Sequence, residues 1–247
     1  MKSCRIACVW MVVAGLLLGV SCTAKAQGIT QQQAEEMLKE LRAIRQALER
    51  VAPPQPSGPP PDQRVKLDSV RGYSLGRPDA PLTLVEFTDS QCQFCNRFST
   101  TAFEQIKTAY IDTGKVRFVT RDFPLDFHPF AMPAARAARC AGEQGKFWEM
   151  RAALVKGYNR LNAAFVTATG ESLTLDMPAF NACVASTRFD AAIMQDMSDG
   201  RAVKVEGTPS FVLGRTTAQG LDGILIVGAQ PFAAFDAKIK ELLAQVR

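Results

Sequence analysis

The sequence predicts an α/β domain, a mixed sheet with helices on both faces, and three observations carry that prediction. A strand–helix–strand unit occupies roughly residues 82–119. A largely helical block runs from Pro129 to about Gly200. Two further strands and a closing helix complete the chain, so the order is β, α, β, helices, β, β, α. That order reads as two half-units around a helical insertion.

Taken from the start, residues 1–26 read as a signal peptide. Lys2 and Arg5 form a positive head, Ile6 to Val20 is an uncharged and mostly apolar run, and Ala24-Lys25-Ala26 has the small-x-small pattern of a cleavage site. The apolar run is shorter than the about 20 residues that span a bilayer, which argues against an uncleaved anchor. Gly19-Val20-Ser21 before Cys22 is a poor lipid-attachment box. The chain is therefore expected to be exported to the periplasm and released. Its formal charge of +5 falls to +2 without this segment, 26 basic against 24 acidic side chains. So small a balance, with Lys and Arg dispersed, gives no argument for nucleic acid or an anionic membrane.

Residues 27–51 read as an oligomerisation helix. Ala34, Met37, Leu41, Ile44, Leu48 and Val51 make an a/d seam without Gly or Pro, with Glu35 and Glu36 early and Arg45 and Arg50 late. Leu41 and Leu48 at a, with β-branched Ile44 and Val51 at d, favour three or four helices over two, a trimer first. Glu40 at g faces Arg45 at e of a neighbour. The alternative is that the helix folds back on the body. Residues 52–63 follow as a Pro-rich, semi-rigid linker, and the globular domain is expected over 64–247.

Within it, Leu82–Phe87 is an apolar, β-rich buried strand. Helical character resumes after Cys92 through Phe94, Phe98, Phe103, Ile106 and Tyr110, and Gly114 stops it. Val116–Val119 is the next strand, and the crossover implies a parallel pair. Helices are expected over Ala131–Cys140, Phe147–Tyr158, Pro178–Ala185 and Asp190–Val203. Pro209–Leu213 and Ile224–Val227 are strands of a candidate hairpin with a long loop around Gly220 and Gly223. Phe232–Val246 is the last helix.

Of seven cysteines, Cys4, Cys8 and Cys22 leave with the signal. Cys92-Gln93-Phe94-Cys95 sits between a strand and a helix. There the first Cys meets free N–H groups and the helix dipole, which stabilise a thiolate, and the second is one turn away, placed to resolve a mixed disulfide. Cys140 and Cys183 lie apart in the helical block. They can pair as a structural disulfide, stay as buried thiols, form a second redox pair or, with the CxxC, bind zinc; zinc sites usually offer two close pairs, which these are not. His128, the only histidine, lies between Phe127 and Pro129 and is read as a loop or helix-start residue, since nothing in the sequence places it near Cys92.

Asp79-Ala80-Pro81-Leu82-Thr83-Leu84-Val85-Glu86-Phe87-Thr88-Asp89 before the CxxC resembles the DsbA-like branch of the thioredoxin superfamily. So do Phe123-Pro124-Leu125, His128 with the Ala-rich helix after it, and Gly207-Thr208-Pro209-Ser210-Phe211. The resemblance covers residue 64 to the C-terminus and implies a thioredoxin fold with a helical insertion at about 124–203. It implies Cys92 as nucleophile and Cys95 as resolving thiol. Pro209 would be a cis-proline facing them, Thr208 before it a substrate contact, and Glu86 a buried acid exchanging a proton with Cys95. Gln93 and Phe94, also expected at the substrate, stand where strongly oxidising relatives carry Pro-His, which implies a less acidic Cys92. No cofactor or metal is implied. The expected function is exchange of disulfides with protein substrates, recharged by an unidentified redox partner. The oligomer and Thr208 lean toward an isomerase; a dithiol oxidase, a redox-linked holdase and a glutathione-dependent enzyme are the alternatives.

Overall fold

The computed structural model describes residues 29–51 and 63–245. The leader 1–26 and linker residues 52–62 lie outside them. Two units are distinguished, one up to Pro59 and one from Pro60.

The first holds helix α1, Gln31–Val51. A reciprocal cap opens it: the Thr30 hydroxyl accepts the Gln33 N–H at 3.3 Å, and the Gln33 side-chain oxygen accepts the Thr30 N–H at 3.0 Å. Met37, Leu41 and Ile44 on the seam are 54, 59 and 53 % exposed.

The second unit is built on six strands: β1 (Gln63–Leu67), β2 (Tyr73–Leu75), β3 (Leu82–Thr88), β4 (Val116–Asp122), β5 (Ser210–Thr217) and β6 (Gly220–Val227). Their order is β1-β6-β5-β3-β4-β2. Only β3 and β4 run parallel; the other pairs are antiparallel. The crossover from β3 passes through α2 (Gln93–Thr100), α3 (Ala102–Ile106) and a π-helical turn (Lys107–Ile111). Helix α9 (Phe232–Ala244) returns after β6.

Central β3 is buried at every position, which is why its sequence does not alternate. Its side chains still do. Leu82 and Leu84 pack with Phe98, Ile106, Phe235 and Ile239 of α2, α3 and α9, whereas Val85 and Phe87 pack with Ile193 and Met197 of α8 (Asp190–Ala202) on the other face. Glu86 shares the parity of Leu84 and so lies on the face that carries α2.

The insertion contributes α4 (Ala131–Glu143), α5 (Phe147–Lys156), a 3-10 turn (Tyr158–Arg160), α6 (Ala163–Ser172) and α7 (Met177–Ala185), before α8. It has its own core of Ala134, Ala138, Met150, Leu154 and Phe180, clamped by a disulfide between buried Cys140 and Cys183. A buried ionic chain ties it to the sheet. Arg139 of α4 bonds Asp122 of β4 at 2.6 Å and Asp196 of α8 at 2.5 Å, and Arg121, fully buried, bonds Asp196 at 2.9 Å and also Asp199.

Four local features differ from the sequence reading. The helix expected from Cys92 to Tyr110 breaks at Thr101, where the Thr100 and Thr101 hydroxyls bond back to the carbonyls of Asn96 and Arg97 at 2.9 and 2.6 Å. The hairpin loop is short: strand pairing runs to Thr217↔Gly220. Gly223 belongs to the strand, opposite Gly214, because a Cβ there would lie 2.4 Å from the Leu213 carbonyl oxygen. Edge strands β1 and β2 are additional, and β1 takes in Gln63, one residue before the expected domain start. Helix α6 is additional too, capped by Asn162, which accepts the Phe165 N–H at 2.8 Å.

Candidate active site

Cys92 occupies the N-cap of α2, with extended backbone (φ −76°, ψ 122°), and its N–H bonds the Asp89 carbonyl at 3.1 Å. Cys95 follows one turn later. Both are free thiols, 4 and 1 % exposed. The Cys92 thiol is pulled down to about 5, chiefly by a hydrogen bond from the Cys95 thiol, against the cost of burial, and further by Thr208 and the N–H groups of Cys95 and Phe94. That value lies within the ~3.5–7.5 range of cysteines lowered at helix N-termini or in CxxC motifs. Cys95 moves the other way, pushed up by burial, by its bond to Cys92 and by the charges of Cys92 and Glu86. One thiol is thus held ionised beside one held protonated, which is the arrangement that attack and resolution require.

Across from the CxxC the Thr208–Pro209 peptide is cis. The Thr208 carbonyl lies 3.3 Å from the Cys92 sulfur, a contact open only to the thiol form. The buried Thr208 hydroxyl has no hydrogen-bond partner, and Thr208 helps to lower the Cys92 thiol. Beneath, Glu86 is fully buried. Its Oε2 accepts from Arg151 of α5 and from the Thr120 hydroxyl at 3.3 Å, while Oε1 has no partner. Burial raises the Glu86 carboxyl above the usual range and Arg151 opposes the rise.

A cleft of about 640 Å³ opens above Cys92. Gln93, Phe94 and Thr208 line it; Pro209 stands behind Thr208 and does not. Its rim is aromatic: Phe94, Phe127 and Phe130 are 46, 74 and 38 % exposed. His128 lines the same cleft. It lies in the turn between β4 and α4, two residues before the Phe130 N-cap, with its carbonyl accepting the Ala131 N–H at 3.0 Å, and that turn carries it to the cleft that Cys92 lines. Its Nδ1 bonds the fully buried Asp89 carboxylate at 2.7 Å. Arg151 is the other site residue that sequence reasoning misses. Its signal is present: it occupies a core position in the stripe Phe147, Met150, Arg151, Leu154, Val155. A charge there demands a buried partner. Among the described residues no cluster of three His, Cys, Asp or Glu side chains is placed to hold a metal.

Residues 68–223 match the family model described as thioredoxin. The chain belongs to the thioredoxin family. Its structure superposes on that of alpha-DsbA1 from Wolbachia pipientis with TM-score 0.63, 24 % identity, and coverage of 70 % of this chain and 91 % of that one. For BdbD from Bacillus subtilis the values are 0.58, 21 %, 72 % and 99 %, and for DsbA from Chlamydia trachomatis 0.60, 19 %, 75 % and 98 %. The fold is therefore the DsbA-like thioredoxin fold with its helical insertion. Among curated proteins, the chain is 34 % identical over 175 residues to Na(+)/H(+) antiporter NhaA 3 of Salinispora tropica, and 35 % over 173 residues to NhaA 1 of Mycolicibacterium gilvum. It spans about a quarter of their length (26 and 27 %) and they cover 70 and 67 % of this chain. No helix among the described residues is long and apolar enough to cross a membrane.

Proposed function

We propose that this protein is an exported thiol–disulfide oxidoreductase acting on protein substrates. The observation that carries the reading is the opposed pair of thiols, Cys92 lowered to about 5 at a helix N-cap and lining an aromatic-rimmed cleft, with Cys95 raised and buried beside it. The Cys92 thiolate attacks a client disulfide and forms a mixed disulfide. Cys95 then loses its proton to the unpartnered oxygen of Glu86 and attacks Cys92, releasing the client thiol; the reverse sequence oxidises a client. The aromatic rim supplies apolar contact to unfolded chain, and Thr208 contacts the client backbone next to its cysteine. A separate redox partner resets the pair.

The finer reading is a disulfide isomerase assembled through residues 30–51, the exposed Met37–Leu41–Ile44 seam joining copies so that several sites engage one client. One observation favours the alternative, a dithiol oxidase: a thiolate at about 5 stabilises the reduced enzyme and so makes its disulfide the more oxidising. The deciding experiment offers scrambled ribonuclease to the full chain and to a form lacking residues 27–63. Recovery of ribonuclease activity with the full chain only supports the oligomeric isomerase. Failure of both, with oxidation of reduced ribonuclease retained, supports the oxidase. Retention of either activity by Cys92→Ala overturns the exchange reading altogether.

A further inference from the structure

The fully buried Asp89 carboxylate links the CxxC to the far wall of the cleft. Its Oδ1 accepts the Gln91 N–H at 2.7 Å, and its Oδ2 accepts the Leu125 N–H at 2.9 Å and meets Nδ1 of His128 at 2.7 Å. The Gln91 side chain adds a bond from the Phe130 N–H at 2.8 Å. An acceptor carboxylate fixes which nitrogen of the ring carries hydrogen: Nδ1–H points at Asp89, leaving the Nε2 lone pair for another proton. Nε2 makes no hydrogen bond to any described residue, and the side chain, one-fifth exposed, borders the space where a mixed disulfide on Cys92 forms. A histidine serving only to start α4 would need neither a buried carboxylate nor a free cleft-side nitrogen. The other titratable groups on this cleft are Cys92 and Tyr158; Asp126, on the same turn as His128, is exposed.

We propose that His128, oriented by Asp89, is the proton-transfer residue for the client sulfur, as Glu86 is for Cys95. The proposal rests on the exchange reading above. In the oxidising direction a client thiol gives its proton to Nε2. The resulting thiolate attacks Sγ of Cys92, a client–Cys92 bond forms, and the Cys92–Cys95 bond breaks with its electron pair passing to Cys95, which takes up a proton. A second client thiolate displaces Cys92 and its proton goes to solvent. The client loses two electrons and the Cys92–Cys95 disulfide gains them, becoming the dithiol. In reverse, protonated Nε2 donates to the departing client thiolate.

The size of the effect follows from the client. An ordinary thiol, with pKa about 8.5, is only a few per cent ionised at pH 7. A base can therefore raise its rate by at most about 30-fold there, and by almost nothing above pH 8.5. An aryl thiol, already ionised at pH 7, needs no base. The test measures reduction of the oxidised full-length protein and of His128→Asn by an alkyl monothiol and by an aryl monothiol. The Asn amide can still donate to Asp89 but lacks the cleft-side nitrogen. The expected result is loss of about tenfold with the alkyl thiol at pH 7, shrinking to within twofold at pH 9, and less than twofold with the aryl thiol at either pH. Equal slowing with both thiols, or no slowing, overturns the proposal and leaves the exchange reading standing. Failure of the wild-type disulfide to react with either thiol overturns both.

Discussion

Replacing Arg151 by Met isolates the charge under the active site. The guanidinium is always protonated and its side chain is 6 % exposed, so its stability depends on Glu86, the carboxylate it bonds. In Arg151→Met the Glu86 carboxylate would stay fully buried, holding only the Thr120 hydroxyl at 3.3 Å. Leaving it ionised costs about 3–5 kcal/mol. Protonating it instead costs 1.36 kcal/mol per pH unit above its unfolded pKa of about 4.3, so about 3.7 kcal/mol at pH 7 and about 1.5 at pH 5.4. The second course is no worse at pH 7 and is better below it. Burial already raises this carboxyl, and removing Arg151 removes the opposing influence. A raised folded-state pKa destabilises as pH climbs from the unfolded value toward the folded one. The variant should therefore lose about 3.7 kcal/mol at pH 7 and recover roughly 1.4 kcal/mol for each unit of acidification toward pH 4.5. Glu86→Gln/Arg151→Met should regain most of the loss, since no charge is left without a partner. The assay is urea unfolding of the oxidised proteins from pH 4.5 to 7.5, which keeps cysteine titration out of the comparison. A loss that does not vary with pH, or a double variant no more stable than Arg151→Met, would refute the reasoning.

Replacing Cys140 and Cys183 by Ala opens a cross-link of sequence separation 43, worth about 4 kcal/mol by loop-closure entropy. With a urea slope of roughly 2 kcal/mol/M, the midpoint should fall by about 2 M, read by equilibrium denaturation without reductant. In the reduced protein, thiolate absorbance at 240 nm should titrate with a midpoint near 5 for Cys92. Because that pKa lies below its unfolded value, the thiolate's contribution to stability is fully present above about pH 8.5 and lost as pH falls toward 5. The reduced form should therefore weaken relative to the oxidised form over that window in paired melts. Met37→Ser/Leu41→Ser/Ile44→Ser, changing only exposed seam positions, should convert an assembled protein to monomer in sedimentation without shifting the melting of the globular unit.

The parts of this molecule legible in the sequence are those whose signal is local. Leu82–Phe87, Val116–Val119 and the CxxC between them declare themselves by composition and order, because β3 is covered on both faces and α2 starts where β3 ends. The Gln63–Leu67 edge is polar and Tyr73–Leu75 is three residues long, so neither has a hydrophobic pattern to read. Gly220 and Gly223 read as loop residues because glycine marks turns, but Gly223 is demanded by the close approach of β5. His128 reads from sequence as a loop or helix-start residue; its place on the cleft that Cys92 lines depends on Asp89, 39 residues earlier, and is a property of the fold. Arg151 is within reach of sequence reasoning, since a lone cation on the apolar stripe of a helix calls for a buried acid, and Glu86 between Val85 and Phe87 is the candidate.

The site joins separate parts of the fold, and this gives the insertion a chemical task. β3 supplies Glu86 and α2 the two cysteines, Thr208 comes from the start of the C-terminal half, and the insertion supplies both Arg151 and the wall with His128. The ionic chain from Arg139 through Asp122, Asp196 and Arg121 fixes α4 and α8 against β4, next to the strand that carries Glu86. Arg151 occupies Oε2 of Glu86 and leaves Oε1 bare. Burial raises this carboxyl and Arg151 opposes the rise, so the pairing favours the ionised form that the proposed transfer of the Cys95 proton requires. Burial, Cys92 and a charge on Glu86 raise Cys95, so in the proposed mechanism its proton stays on sulfur until a mixed disulfide has taken the charge off Cys92. On the proposed mechanism the insertion thereby helps set when Cys95 attacks, and weakening its hold on β4 should disturb resolution before it disturbs the first attack by Cys92.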